Sequence, residues 1–159
     1  MSENLQTVAV VILNWNGGDE IIDCIASVAG SSYSAVQIVV VDNGSIDKSS
    51  DKICLRFPRT TVIRNDHNLG FAKGSNQGME WALNRGIPYV LLLNGDARLH
   101  RDTIYELLAT VKSKSDSVAA CPRIYLGHET KRLWFAYGTV KMWAGLFQNP
   151  AFKDRKSVV

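Results

Sequence analysis

The sequence predicts an α/β domain with a mostly parallel central sheet flanked by helices, and three observations predict it. Between Val8 and Cys121, short β-branched runs alternate with stretches of helical spacing; the runs are nearly all apolar; and each run through the fourth ends in a polar turn. Near-continuous apolar strands imply burial on both faces, which a parallel sheet covered by helices provides.

The elements follow in order. Val8 to Leu13 is the first strand, and Asp19 to Ala29 the first helix, with Ile21, Ile22, Ile25 and Val28 on one face and Asp19 and Glu20 at its positive end. Gln37 to Val41 is the second strand, followed by a turn at Asn43, Gly44 and Ser45 and a helix from about Asp47 to Arg56 that Phe57 and Pro58 stop. A weaker strand, Thr61 to Ile63, leads through the Asn/Gly-rich segment 64–70 into a helix over Phe71 to Asn84, closed by Gly86. Tyr89 to Leu93 is the fourth strand, broken at Asn94, Gly95 and Asp96. A helix from about Arg101 to Lys112 and a strand from Val118 to Cys121 complete the pattern before Pro122. Two regions result: an α/β domain over 1–126, and 127–159 as the start of a further region in which aromatic residues (Trp134, Phe135, Tyr137, Trp143, Phe147, Phe152) lie among glycines and bases without a clean period.

Composition narrows the function classes. With 159 residues, 46% of them hydrophobic and 21% charged, the chain can bury a core without staples. Its three cysteines, Cys24, Cys54 and Cys121, match no metal spacing and are expected as small buried residues in a reducing compartment. No apolar run approaches the ~20 residues of a spanning helix, and the polar N-terminus resembles no signal peptide, so the chain is expected in the cytoplasm. The net charge of +3 is too mild for nucleic acid, although residues 117–159 hold 7 Lys/Arg against 2 Asp/Glu. That basic, aromatic tail suits peripheral contact with the inner face of a membrane; the blander reading is core sequence lacking its packing partner, which predicts self-association, as a homodimer for example.

In an open α/β sheet, ligands bind outside the carboxyl ends of the strands. Here those ends carry 14–17, 42–45, 64–65 and 94–96, four polar clusters that would share one edge. Turn and capping chemistry alone enriches such loops in Asn, Asp, Gly and Ser. It explains less well why Asp42 and Asp96 end or follow apolar runs, where a carboxylate needs a partner. A dinucleotide fingerprint fails, because Asn14-Trp-Asn-Gly-Gly-Asp19 is not G-x-G-x-x-G, and the segment 70–78 is no P-loop. A nucleotide held without a glycine cradle needs another neutraliser for its phosphates, and Asp96 is placed to hold a magnesium or manganese ion that does this.

Four segments carry a resemblance: Val10-Val-Ile-Leu-Asn-Trp-Asn-Gly17, Val39-Val-Val-Asp-Asn-Gly-Ser45, Asn68-Leu-Gly-Phe-Ala-Lys-Gly-Ser-Asn76 and Leu91-Leu-Leu-Asn-Gly-Asp-Ala97. In order and spacing they resemble family 2 glycosyltransferases, most closely the rhamnosyltransferase-like branch, over about residues 7–126. The resemblance implies the Rossmann-like GT-A fold and transfer of a sugar from a UDP- or dTDP-linked donor to a saccharide or lipid-linked acceptor, as in cell-wall or polysaccharide biosynthesis. It further implies an inverting reaction dependent on Mg2+ or Mn2+. Asn14 and Trp15 would line base and ribose, and Asp42, with Asn43 beside it, would accept from the pyrimidine ring N–H. Asn65, Gly70, Lys73 and Asn76 would lie along nucleotide and sugar, and Asp96, next to Asn94, would hold the metal. Arg98 is a further, weaker candidate for a phosphate contact.

Departures from the pattern are specific. Gly95 stands where this branch has proline, and Asp96 is one carboxylate where relatives usually have two. Relatives are longer, and their acceptor half carries a two-acid base motif and often a late histidine. Glu129, Asp154 and His128 sit in no such context, so no catalytic base is assigned. Two alternatives accompany the leading reading: a non-catalytic nucleotide-binding or interaction module of the same fold, and a nucleotidyltransferase, disfavoured because no arginine follows the first strand.

Overall fold

A computed structural model describes residues 5–113, 115, 117–127, 133–135, 139–141 and 146–148. The chain forms two compact units, Met1–Ile104 and Tyr105–Val159. The first contains strands β1 (Val8–Asn14), β2 (Val36–Asp42), β3 (Thr61–Arg64) and β4 (Tyr89–Asn94), with helices α1 (Glu20–Ala29), α2 (Ser49–Arg56) and α3 (Phe71–Leu83). Helix α4 (Thr103–Lys112) crosses the boundary. The second unit contains two antiparallel pairs: β5 (Ile124–Tyr125) with β6 (Leu133–Phe135), and β7 (Thr139–Lys141) with β8 (Leu146–Gln148).

The four strands of the first unit form one all-parallel sheet in the order β3-β2-β1-β4. The order reverses between β1 and β4, so this sheet has a topological switch point there. Pairing places Asn14 opposite Asp42, Asp42 opposite Arg64 and Leu13 opposite Asn94, so the carboxyl ends of all four strands reach one edge in register.

Close approach governs one layer. A Cβ on Gly74 would fall 2.5 Å from Leu13 Cδ1, and one on Gly78 would overlap Val11 Cγ1, so α3 rests on β1 through residues four apart on one helix face. Ala82 continues that face and is buried with Ala9 and Ile87. Helix α1 buries Ile21, Ile22, Cys24, Ile25 and Val28, the apolar face its spacing predicts.

The fold corrects three expectations. Burial on both faces holds for β1 and for the C-terminal half of β2, whereas β4 is only partly covered and Leu92 is 45% exposed. Among the described residues β4 pairs only with β1, as an edge strand. No strand forms over 118–121: Val118 is 98% exposed, and pairing begins at Ile124. Strand propensity without a neighbouring ladder does not make a strand. Cys24 is buried as expected, but Cys54 and Cys121 are exposed. Among the described residues no helix is long and apolar enough to cross a membrane.

Candidate functional site

The edge is built by side chains that tie its loops together. Asn14, at the end of β1, is buried, and its Nδ2 donates to Asp42 Oδ1 at 3.1 Å, Ser49 Oγ at 2.8 Å and Ser45 Oγ at 3.2 Å. Its Oδ1 accepts from the Gly17 amide at 3.2 Å. Asn16, in the left-handed region at φ 52°, accepts from the Ile46 amide and donates its own amide to Ser45 Oγ. Asp47 accepts from the Gly18 amide at 2.9 Å and from the amide and hydroxyl of Ser49. Desolvation pushes the Asp47 carboxyl up, but the bonds from Ser49 and Gly18 outweigh it and hold the group below its ordinary value. The loops after β1 and β2 are thereby joined.

A second network joins the loops after β2 and β3. The buried Asn43 accepts from Asn65 Nδ2 at 3.2 Å and the Leu69 amide at 3.0 Å, and donates to Asn68 Oδ1 at 2.8 Å and the Gly70 carbonyl at 3.3 Å. Asn65 and Gln77 exchange amide bonds in both directions, at 2.7 and 2.9 Å. Gly44, at φ 77°, lets these loops touch, since a Cβ there would sit 2.7 Å from the His67 backbone.

Six candidates are exposed. Trp15 is 58% exposed, and Lys73, Asn76 and Asp96 are exposed. Asn94 is exposed, while its carbonyl accepts from Ala97 N at 3.0 Å and Cys24 Sγ at 3.4 Å. Burial first, and the Asp96 charge second, push the Cys24 thiol up to about 12, so it is a neutral donor. Gly70, at φ 83°, precedes α3 with open space around it.

Asp42 is buried and accepts through Oδ1 from Asn14 and from the Ser45 amide at 3.4 Å. Asp96 makes no ion pair or hydrogen bond with any described residue. Arg98 pairs with Asp23 of α1 rather than standing free for a phosphate. Asn14, Asn43 and Asn65, placed along the ligand by resemblance, turn their amides inward. Glu129, Asp154, His128, Tyr137, Trp143 and Phe152, and the side chain of Phe147, lie outside the described residues.

Sequence reasoning placed Ser45 in the polar cluster after β2 without giving it a role, and missed Ser49, Asp47 and Gln77. Spacing offers no signal for Gln77, because its meeting with Asn65 depends on the phase of α3 against the end of β3. The serines carried a weak signal, lying in the turn and helix start after Asp42.

What the edge offers is one buried acceptor carboxylate, one exposed carboxylate across β1 from it, an exposed indole, and loops joined by side-chain hydrogen bonds. Residues 9–158 match the family described as Glycosyl transferase family 2. The chain is 25% identical over 146 residues to an uncharacterized glycosyltransferase, YibD, of Escherichia coli K12, covering 89% of this chain and 41% of that protein. Staphylococcus aureus TarS 1–349 in complex with UDP-GlcNAc is similar in structure, with TM-score 0.59 and 20% identity over 68% of this chain and 32% of that one. The mannosyltransferase PcManGT of Pyrobaculum calidifontis, in complex with GDP-Man and Mn2+, gives TM-score 0.55 and 20% identity over 64% of this chain and 31% of that one. The chain thus spans less than half the length of each of these proteins.

Proposed function

Because the chain belongs to glycosyl transferase family 2, we propose that its first unit binds a UDP- or dTDP-linked sugar across the edge formed by β2, β1 and β4, for transfer to a saccharide or lipid-linked acceptor. The observation that carries this reading is the register that sets Asp42 and the turn bearing Asp96 on either side of β1. Asp42, acceptor-only when ionised, accepts the ring N–H of uracil or thymine, and exposed Trp15 offers a stacking face. Lys73 and Asn76, exposed on the first turns of α3, lie along the diphosphate and sugar.

The donor set fits a metal that is shared with the ligand. Among the described residues no three acids, cysteines or histidines gather into a cage. A single exposed carboxylate suits a magnesium or manganese ion that completes its shell with diphosphate oxygens and water. The similar mannosyltransferase structure, a complex with GDP-Man and Mn2+, supports this choice. When bound, such an ion neutralises charge on the leaving diphosphate. In an inverting transfer the acceptor oxygen attacks the anomeric carbon opposite the phosphate oxygen; that C–O bond breaks, the nucleoside diphosphate leaves, and the acceptor proton passes to a base. The segment Leu91-Leu-Leu-Asn-Gly-Asp96 supports a rhamnosyltransferase-like donor preference.

Calorimetric titration with UDP and dTDP, each with and without Mn2+, tests the reading. Asp42→Ala should weaken binding under both conditions, and Asp96→Ala should remove the gain that Mn2+ brings. Unchanged affinity in both variants sinks the assignment.

A further inference from the structure

The turn that carries Asp96 is anchored on both sides while Asp96 itself stays exposed. Before it, the Asn94 carbonyl accepts from Cys24 Sγ at 3.4 Å. At Gly95 a Cβ would fall 2.9 Å from Ile21 Cδ1 and 3.0 Å from the Leu13 carbonyl oxygen, so backbone sits directly on α1 and β1. After it, Arg98 pairs with Asp23, and the Leu99 amide donates to Ser27 Oγ at 2.9 Å. Ser27 Oγ in turn donates to the Cys24 carbonyl at 2.6 Å. Residues 94, 95, 98 and 99 therefore meet residues 21, 23, 24 and 27 of a single helix, spaced as neighbouring turns of one helix are.

We propose that α1 is the seat of this turn and that Cys24 and Ser27 are positioning residues that aim the Asp96 carboxylate at a diphosphate-bound divalent ion. The inference rests on the metal role given to Asp96 above, and adds what sets that carboxylate in place. A buried thiol donor and a seryl acceptor hold the backbone on the two sides of Asp96, so the main chain that bears the carboxylate is in place before any ligand arrives and only the side-chain rotamer is ordered on binding. Among the described residues neither Cys24 nor Ser27 is hydrogen-bonded to Asp42, Trp15 or the loop after β3, so disturbing these two should act on the metal-dependent part of binding.

The test is the ratio of UDP affinities with and without Mn2+, measured by calorimetry on the full chain. Cys24→Val removes the donor and adds one carbon at a buried position; Ser27→Ala removes the acceptor at a partly exposed position and serves if the first variant folds poorly. Each is expected to lower the ratio about three- to tenfold, the scale of one lost hydrogen bond, with Mn2+-free affinity within about twofold of the parent. Cys24→Ser retains a donor and should restore most of the ratio. Full retention of the ratio in Cys24→Val and Ser27→Ala, alongside its loss in Asp96→Ala, overturns the positioning role while leaving the metal assignment standing. A ratio that survives Asp96→Ala overturns the metal assignment and this inference together.

Discussion

Asn43 uses its side-chain amide fully, with two bonds accepted and two donated across the loops after β2 and β3. Removing it leaves Asn65, Leu69 and Asn68 groups without that partner, so Asn43→Ala is expected to cost about 2–3 kcal/mol in urea unfolding, more than a surface substitution. Cys24 gives a pH prediction. Its thiol is raised by burial and by the Asp96 charge to about 12, from 9.0, so the folded state holds a proton that the unfolded chain loses. Stability from this group is complete below pH ~9 and is lost as pH rises toward ~12; Cys24→Val should flatten the fall in that window. Native-state alkylation should label the exposed Cys54 and Cys121 and spare Cys24 until the chain unfolds. At this scale the position of Asp42 and Asp96 at the strand-end edge was legible, because a carboxylate at the end of an apolar strand is conspicuous. That Asn14 and Asn43 turn inward was not, since an asparagine in a loop has the same letter whether it meets a ligand or a neighbouring serine.

Helix α3 shows how an element is set by what it leaves out. Gly74, Gly78 and Ala82 recur at four-residue spacing, and the two glycines admit β1 where a methyl would not fit. Alanine is the better helix former by about 1 kcal/mol, so on propensity alone Gly78→Ala should stabilise the chain. Contact with Val11 reverses the sign: overpacking of about 1–3 kcal/mol predicts a net loss, read as a lower urea midpoint with unchanged slope. The elements of the first unit were legible because their patterns are local. Helix α2 starts at Ser49, two residues later than expected, as Asp47 spends its carboxylate on Ser49 and Gly18 instead of joining the helix. The strand expected over 118–121 does not form, because a ladder needs a neighbour that local sequence does not specify.

For the whole molecule, the proposed function makes stability depend on ligand and metal together. UDP with Mn2+ at about a hundred times its Kd should add ~2.7 kcal/mol, raising the melting temperature by about 5–10 °C in a scanning measurement, while Mn2+ alone should shift it little. A shift with UDP that is equal in the presence of EDTA would argue against a shared metal. Periodicity, turn residues and four ordered motifs determined by themselves the α/β class, the sequence of elements in the first unit, and the gathering of polar clusters at strand ends, because each is a short-range property of a chain that must bury apolar faces. Only the tertiary structure decided which polar groups face one another: that Asp42 is held by Asn14 and Ser45, that Gln77 meets Asn65, and that the Asp96 turn rests on Cys24 and Ser27. These pairs lie up to 72 residues apart. Their meeting is set by sheet register and helix phase, which are fixed by packing across the whole unit rather than by any local pattern.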